Sequence, residues 1–327
     1  MVVQKKNNKK LIISHVADVD GVSAVILAKL YYGDIDYYLV EFAELEGALK
    51  ELVTTGQYKD YDEIFVTDVS FRTSTLKLVD ENNELKEKIR HFDHHMTEMD
   101  NAKKYSFVNE VNEKDGKLVC GTTLFYDYIK ENFKYQSEFL DKYLEAVRSY
   151  DTGGPFCGNQ YGNDLTTIFD IIGHDAFIKK FVNGIKEGKD PLTEDDIAMI
   201  NREYQKVEDY IALCDSSLVR IGLNGHKVGV SISEQYRSSV GNVLSRKYKD
   251  ELDYILIINF PRGQFSFRTV KDDVNVGEIA KSLTKEGGGH VKAAGMPINN
   301  DTLFIMDLVK EELMEKGKIK SLNKNSN

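Results

Sequence analysis

The run Ile89-Arg-His-Phe-Asp-His-His-Met96 sets one carboxylate and two imidazoles, Asp93, His94 and His95, side by side behind apolar residues. Such groups are metal ligands or proton carriers, and burying them without a partner or an ion is costly. Two more clusters repeat the theme: His15-Val-Ala-Asp18-Val-Asp20-Gly21, and Asp68 within Val66-Thr-Asp-Val-Ser70. Asp151, in Ser149-Tyr-Asp-Thr-Gly-Gly-Pro155, adds a further carboxylate. Aspartate mixed with histidine suits Mn²⁺ better than Mg²⁺, which favours an all-oxygen shell, or structural zinc, which recruits cysteine. The set exceeds the needs of one ion. Two ions sharing a carboxylate, about 3.5–4 Å apart, would activate a water and clamp a phosphoryl group.

Elements must bring these groups together. Lys10–Ser14 reads as a short apolar strand and Gly21–Leu30 as an apolar helix. Asp62–Thr67 is a second strand, Ser74–Lys88 a helical stretch, and Ile89–Phe92 a third strand. Strands alternating with helices predict a mostly parallel sheet flanked by helices, with ligands at the carboxyl ends of the strands. Each of the three strands delivers an acid or imidazole at that end. Leu140, Tyr143, Leu144 and Val147 mark one face of a further helix, with Arg148 near its end. Gly-Gly-Pro is expected to stop this helix and leave Asp151 at its mouth.

Pro191–Leu213 reads as a connecting helix, with Thr193 and Asp196 as a capping box and an apolar stripe of Ile200, Tyr204, Val207 and Ile211. Beyond it, Val228, Val230 and Ile232 alternate, Tyr254–Phe260 is a buried-strand run, and Phe265 and Phe267 alternate again. These predict a second, smaller α/β domain. There Gly287-Gly-Gly-His290 follows a helical stretch, Gly277–Leu283, and could turn backbone amides toward phosphate oxygens. Arg268 alternates with Phe265 and Phe267, so it faces away from their core and suits the same anion.

At 327 residues the chain has room for two ordinary domains, and 41% hydrophobic with 29% charged residues is a globular composition. No apolar run approaches the roughly 20 residues of a membrane helix. The basic start precedes an apolar run too short for a signal core, so a cytoplasmic protein is expected. Cys120, Cys157 and Cys214 lie far apart, which excludes a zinc ribbon and disfavours a disulfide framework. A net charge of -10 argues against coating long nucleic acid, yet accommodates aspartates that bind cations. His91, His174 and His226 lack companions, and Ser245-Arg-Lys247 reads as a solvated run.

Five ordered motifs resemble one family: HVADVDG (15–21), VTDVS (66–70), DHH (93–95), SYDTGG (149–154) and GGGHVKAAG (287–295), with SFRTV (266–270) upstream of the last. They are similar to the DHH phosphoesterases, in the branch whose C-terminal part is a DHHA1 domain. SHVADVDGVSAVILAKL looks most like the oligoribonucleases or nanoRNases. The resemblance implies His15, Asp18 and Asp68 on one metal, and Asp20, Asp68, His94 and Asp151 on the other, with Asp68 bridging. Two residues separate His15 from Asp18 here, where relatives commonly have one or three.

The same resemblance implies a catalytic set of Asp68, Asp93, His94 and His95. His95 would face the scissile phosphate and Asp93 would orient a neighbouring imidazole. Arg268, Gly287, Gly288, Gly289 and His290, together with His95, would bind substrate. The implied cofactor is two Mn²⁺ per chain, with Mg²⁺ or Co²⁺ as substitutes. The implied layout is a DHH domain over 1–190, a connecting helix over 191–215, a DHHA1 domain over 216–316 and a disordered tail over 317–327. The expected function is metal-dependent hydrolysis of short single-stranded oligonucleotides to mononucleotides, away from membranes, with a homodimer left open. Alternatives are a cyclic- or linear-dinucleotide phosphodiesterase, a longer single-strand exonuclease, or a non-catalytic binding protein on the same fold.

Overall fold

The computed structural model describes residues 9–95, 104–153 and 158–317. Cys157, the end of the SYDTGG motif and the tail from 318 onward lie outside the described residues. The chain divides into two compact units, Met1–Ile200 and Asn201–Asn327.

The first unit is built on β1 (Lys10–His15), β2 (Asp36–Val40), β3 (Glu63–Thr67) and β4 (Ile89–Phe92), in the spatial order β2-β1-β3-β4, with β5 (Glu113–Lys114) and β6 (Lys117–Leu118) forming a separate hairpin. Every pairing in the four-stranded sheet is parallel, with Leu11 opposite Asp36 and Ile64, and Thr67 opposite Phe92. Helix α1 (Val19–Tyr32) is buried on nearly every face, because α5 (Gly121–Ile129), α6 (Glu138–Gly153) and α7 (Gln160–Glu187) pack around it. That explains why its sequence is apolar all round rather than striped. On the opposite face α2 (Leu45–Thr55) and α3 (Thr73–Asp80) close a core that includes Leu49, Leu52, Val66, Phe71 and Val79.

The chain leaves β1 for β2 on one side and returns to β3 on the other. The order therefore reverses between β1 and β3, and their carboxyl ends form the crevice where such sheets bind ligands. His15 ends β1 and Asp68 follows β3.

Several boundaries differ from the sequence reading. The edge strand β2 was not foreseen, since Asp36-Tyr-Tyr-Leu-Val40 has neither clean alternation nor an apolar run. Ser74–Lys88 is two helices, α3 and α4 (Asn83–Lys88), because the Asn82 side chain accepts from Leu85 N and starts a new helix. Helix α6 ends at Gly153, at the expected Gly-Gly-Pro stop, and carries Asp151 in its last turn. Helix α7, interrupted at Gly173 where φ is +76°, had no counterpart in the reading.

Helix α8 (Glu194–Ser216) opens on the Thr193–Asp196 box, in which each residue's side chain accepts the other's backbone N–H, and the division between units falls inside it. The second unit carries a six-stranded mixed sheet of β7 (Val219–Leu223), β8 (His226–Ile232), β9 (Tyr254–Asn259), β10 (Gln264–Arg268), β11 (Gly288–Gly289) and β12 (Ala293–Pro297), ordered β11-β12-β10-β9-β8-β7. Only β8 with β9 is parallel. Alternation along β9 splits two cores. Tyr254, Leu256 and Ile258 face α10 (Val276–Leu283), whereas Ile255 and Ile257 face α9 (Arg237–Lys247). Among the described residues no helix is long and apolar enough to cross a membrane.

Candidate metal centre

The centre is assembled from loops forced into position by close contacts. Asp18 caps α1 by accepting from Gly21 N at 3.0 Å. A Cβ on Gly21 would lie 2.3 Å from the His15 carbonyl oxygen, so only glycine lets α1 start this tightly against β1. Asp68 adopts a φ of +56°, uncommon without glycine, and its N–H donates to Phe92 O at 2.9 Å across the strand ends. Asp93 leaves β4 fully buried. One of its oxygens accepts from His94 N (2.9 Å) and His95 Nδ1 (2.8 Å), and the other accepts from Ser70 Oγ.

These pieces converge. His15 Nδ1 lies 2.6 Å from Asp18 Oδ2 and 3.7 Å from Asp68 Oδ2. His94 Nε2 lies 3.3 Å from Asp68 Oδ1, 3.3 Å from Asp151 Oδ2 and 3.9 Å from Asp20 Oδ2. His95 Nδ1 is 4.0 Å from Asp68 Oδ1. Asp68 thus turns one oxygen toward His15 and Asp18 and the other toward His94 and His95. The groupings His15–Asp18–Asp68, Asp20–His94–Asp151 and Asp68–His94–His95 each bring ligand atoms close enough to hold an ion. A cavity of about 160 Å³ lies against Asp18, Asp20 and Asp151, walled by Val147, Leu165 and Thr166.

The electrostatics are those of a site short of positive charge. Burial, then the neighbouring Asp20 and Asp18 charges, lifts the Asp68 carboxyl well above its ordinary range. Burial and Asp20 push Asp151 up to about 7. The hydrogen bond to Asp18 and the nearby Asp68 carboxylate raise His15 to about 10. Burial works against the charge on Asp93, yet the His95 hydrogen bond and the nearby His91 and His95 charges bring it down to about 2. Asp68 Oδ2, His94 Nε2 and Asp151 Oδ2 are buried atoms without a hydrogen-bond partner. Unpaired buried polar atoms are costly, and three that converge with like charges beside them fit a divalent cation.

Residues 9–149 match the DHH family, N-terminal domain. The match takes in β1 through β4 and the helices as far as α6. It is similar to the oligoribonuclease NrnB of Bacillus subtilis (strain 168), 29% identical over 298 residues that span 89% of this chain and 74% of that protein. Among solved structures it is similar to exonuclease RecJ bound to manganese, with a TM-score of 0.56 and 13% identity over 97% of this chain and 92% of that one. It is also similar to PggH, a pGpG-specific phosphodiesterase from a Vibrio species, with a TM-score of 0.54 and 12% identity over 95% and 99% of the two chains. At these identities the structural likeness is one of fold.

Within the DHH unit, two groups escaped the sequence reading. Gly121 and Thr122, at the start of α5, donate backbone N–H groups to the Asp20 carboxylate, and a Cβ on Gly121 would lie 2.7 Å from Asp68 Cβ. Their signal is the small, polar run Cys120-Gly-Thr-Thr123, a helix-start pattern that the sequence reading passed over. His91 is the other. Taken from sequence as a lone polar residue, it is almost wholly buried, bonds Val69 O through Nε2, and falls within ligand distance of Asp93 and Glu110.

In the second unit Arg268 ends β10 opposite Ala293. Its guanidinium donates to Phe267 O (2.8 Å) and Ser238 Oγ (3.4 Å). Its stem crosses α9 where a Cβ on Gly241 would lie 2.6 Å from Arg268 Cγ. Burial, then the neighbouring Arg237 charge, draws the Arg268 pKa down, while burial and Arg262 draw Arg237 down. The glycine run lies on β11, beyond the intervening β12, with Gly288 opposite Gly295 and Gly289 opposite Ala294, and His290 is exposed. Ser245 is buried within α9, so only Arg246 and Lys247 of that run are solvated.

Proposed function

We propose that this protein is a two-metal phosphodiesterase that degrades short single-stranded oligonucleotides to mononucleotides. That it is a hydrolase acting on phosphodiester bonds is supported by its family and by the oligoribonuclease to which it is 29% identical. One observation carries the metal reading: the buried, convergent and unpartnered Asp68 Oδ2, His94 Nε2 and Asp151 Oδ2. His15, Asp18 and Asp68 would hold one ion; Asp20, Asp68, His94 and Asp151 would hold the second. Manganese suits this mixture of carboxylate and imidazole. When bound, two such ions make a shared water more acidic and offset the charge of the phosphoryl group.

The chain's own residues do the rest. Asp68 offers one oxygen to each group and so sets their separation. Asp93 holds the exposed His95 ring through Nδ1, which leaves Nε2 to bond a phosphate oxygen. Arg268, Gly287, Gly288, Gly289 and His290 are proposed to hold the part of the substrate not under attack, through a guanidinium and closely approachable backbone amides.

Product analysis on a length ladder of RNA, DNA and cyclic dinucleotides, with Mn²⁺ and with chelator, tests this. Mononucleotides should appear fastest from the shortest linear RNAs, and chelator should stop the reaction. Full activity in excess chelator would end the metal reading. Preferential cleavage of a cyclic dinucleotide, or of long strands, would replace the substrate assignment.

A further inference from the structure

We infer that Thr122 is a positioning residue of the metal centre, and that the first turn of α5 fixes the orientation of Asp20. The inference rests on the proposed metal reading, in which Asp20 is a ligand.

Both Asp20 oxygens are held by that turn. Oδ2 accepts from Gly121 N at 2.7 Å, and Oδ1 accepts from Thr122 N at 2.9 Å. The Thr122 hydroxyl donates in turn to the backbone carbonyl of Asp20, so one residue grips Asp20 at its side chain and its main chain. The grip joins residues 102 apart in sequence, between side chains shut off from solvent. Asp68 and Asp151 are treated differently, each keeping a buried oxygen without a partner.

The physical consequence follows from charge. Asp20 shares a buried space with Asp18, Asp68 and Asp151, and a carboxylate free to rotate there would swing away from its neighbours. Two backbone N–H groups at a helix N-terminus, where the positive end of the macrodipole lies, hold it in place before any cation arrives. With a lone pair on each oxygen committed to α5, Asp20 meets the ion as a fixed ligand, whereas Asp68 and Asp151 keep oxygens free to adjust. Gly121 sets the same turn against Asp68, where a Cβ would come within 2.7 Å of the Asp68 Cβ. The start of α5 therefore sets the spacing between Asp20 and Asp68 as well.

The test is Mn²⁺ binding by titration calorimetry on the full chain, with thermal melting and steady-state kinetics on a dinucleotide. Thr122→Pro removes the N–H at a first-turn position that has no intrahelical acceptor, so the helix can form. Thr122→Val keeps the N–H and the shape but loses the hydroxyl. Thr122→Ser keeps both. We expect Thr122→Pro to weaken one ion by about tenfold or more, as for the loss of a charge-assisted hydrogen bond, and to leave the other unchanged. Its kcat should fall at limiting Mn²⁺ and recover at excess, with KM constant. Thr122→Val should weaken the same ion less, and Thr122→Ser should bind both ions as the wild type does.

A folded Thr122→Pro with wild-type affinity for both ions would overturn the inference, as would an equal loss at both. If the proline variant does not fold, valine against serine decides: equal Mn²⁺ binding by the two refutes a role for the hydroxyl grip. Asp20→Asn separates this inference from the reading beneath it. Should Asp20→Asn bind Mn²⁺ undiminished, the ligand assignment itself fails; should it lose one ion while the Thr122 variants do not, only the positioning role fails.

Discussion

Asp68 turns its two oxygens toward two groups of proposed ligands, so replacing it should separate catalysis from folding. Its φ of +56° makes asparagine the better replacement, since asparagine tolerates the left-handed region more readily than alanine. Asp68→Asn should abolish turnover and weaken Mn²⁺ binding while the metal-free protein melts no lower than the wild type, because a buried like charge has gone. Calorimetry and a melt would show it; a variant that still turns over at the wild-type rate contradicts the bridging role. The metal-free centre also predicts a pH dependence. Asp151 is raised to about 7 from an ordinary 3.8, so the folded chain holds a proton that the unfolded chain releases, and stability drops as pH rises through that window. His15, raised to about 10 from 6.5, likewise contributes fully below 6.5 and loses its contribution as pH rises toward 10. Asp93, lowered to about 2 from 3.8, acts in the opposite sense, stabilising above 3.8 and failing in acid. Melting temperature in chelator should therefore peak in mild acid and decline toward pH 9. A profile that rises over that range would refute this account of the buried charges.

At the scale of elements, glycines show where backbone contact, rather than ligand contact, selects the residue. The sequence presents Gly287, Gly288 and Gly289 as one phosphate cradle, but their surroundings differ. A Cβ on Gly287 would lie 2.1 Å from Ala280 O in α10, and Gly289 has a φ of +144°, whereas a Cβ on Gly288 meets only the Lys281 side chain at 3.5 Å. Gly287→Ala should then destabilise the second unit by about 1–3 kcal/mol through overpacking, while Gly288→Ala should leave the melt unchanged. Any loss of substrate capture in Gly288→Ala would report on the ligand alone. Equal destabilisation by the two would show that the run is structural throughout. Motif spacing made the run visible. It could not sort the three residues, because steric demand depends on what packs opposite. Helix α6 teaches a similar point: Gly-Gly-Pro marks where the helix ends, but not that its last turn brings the Asp151 carboxylate to His94.

For the whole molecule, a net charge of -10 leaves little counterion-release affinity for a long strand. Catalytic efficiency should fall steeply from di- and trinucleotides toward long oligomers, with only weak dependence on salt. Equal efficiency per end on a long strand would favour a processive exonuclease. If the metal-binding unit cuts and the second unit holds, Arg268→Ala should leave Mn²⁺ binding intact. It should weaken dinucleotide capture by about 1.5–3 kcal/mol, yet hardly change hydrolysis of a small generic diester such as bis-p-nitrophenyl phosphate. A parallel decline in both activities would show that Arg268 does not act as a substrate clamp.

The sequence by itself determined the strands β1, β3 and β4, the acids and imidazoles at their ends, the Thr193–Asp196 capping box and the change of character beyond α8. All of these are written in residues adjacent along the chain or spaced by one helical or strand period, so apolar pattern and residue chemistry suffice to read them. Only the tertiary structure decided that β2 lies at the sheet edge, that the last turn of α6 brings Asp151 to His94, and that Thr122 grips Asp20. These depend on which residues meet across the crevice between β1 and β3, and the energy of such a meeting resides in a pair of distant groups. No local pattern at residue 122 records the carboxylate that its N–H will hold.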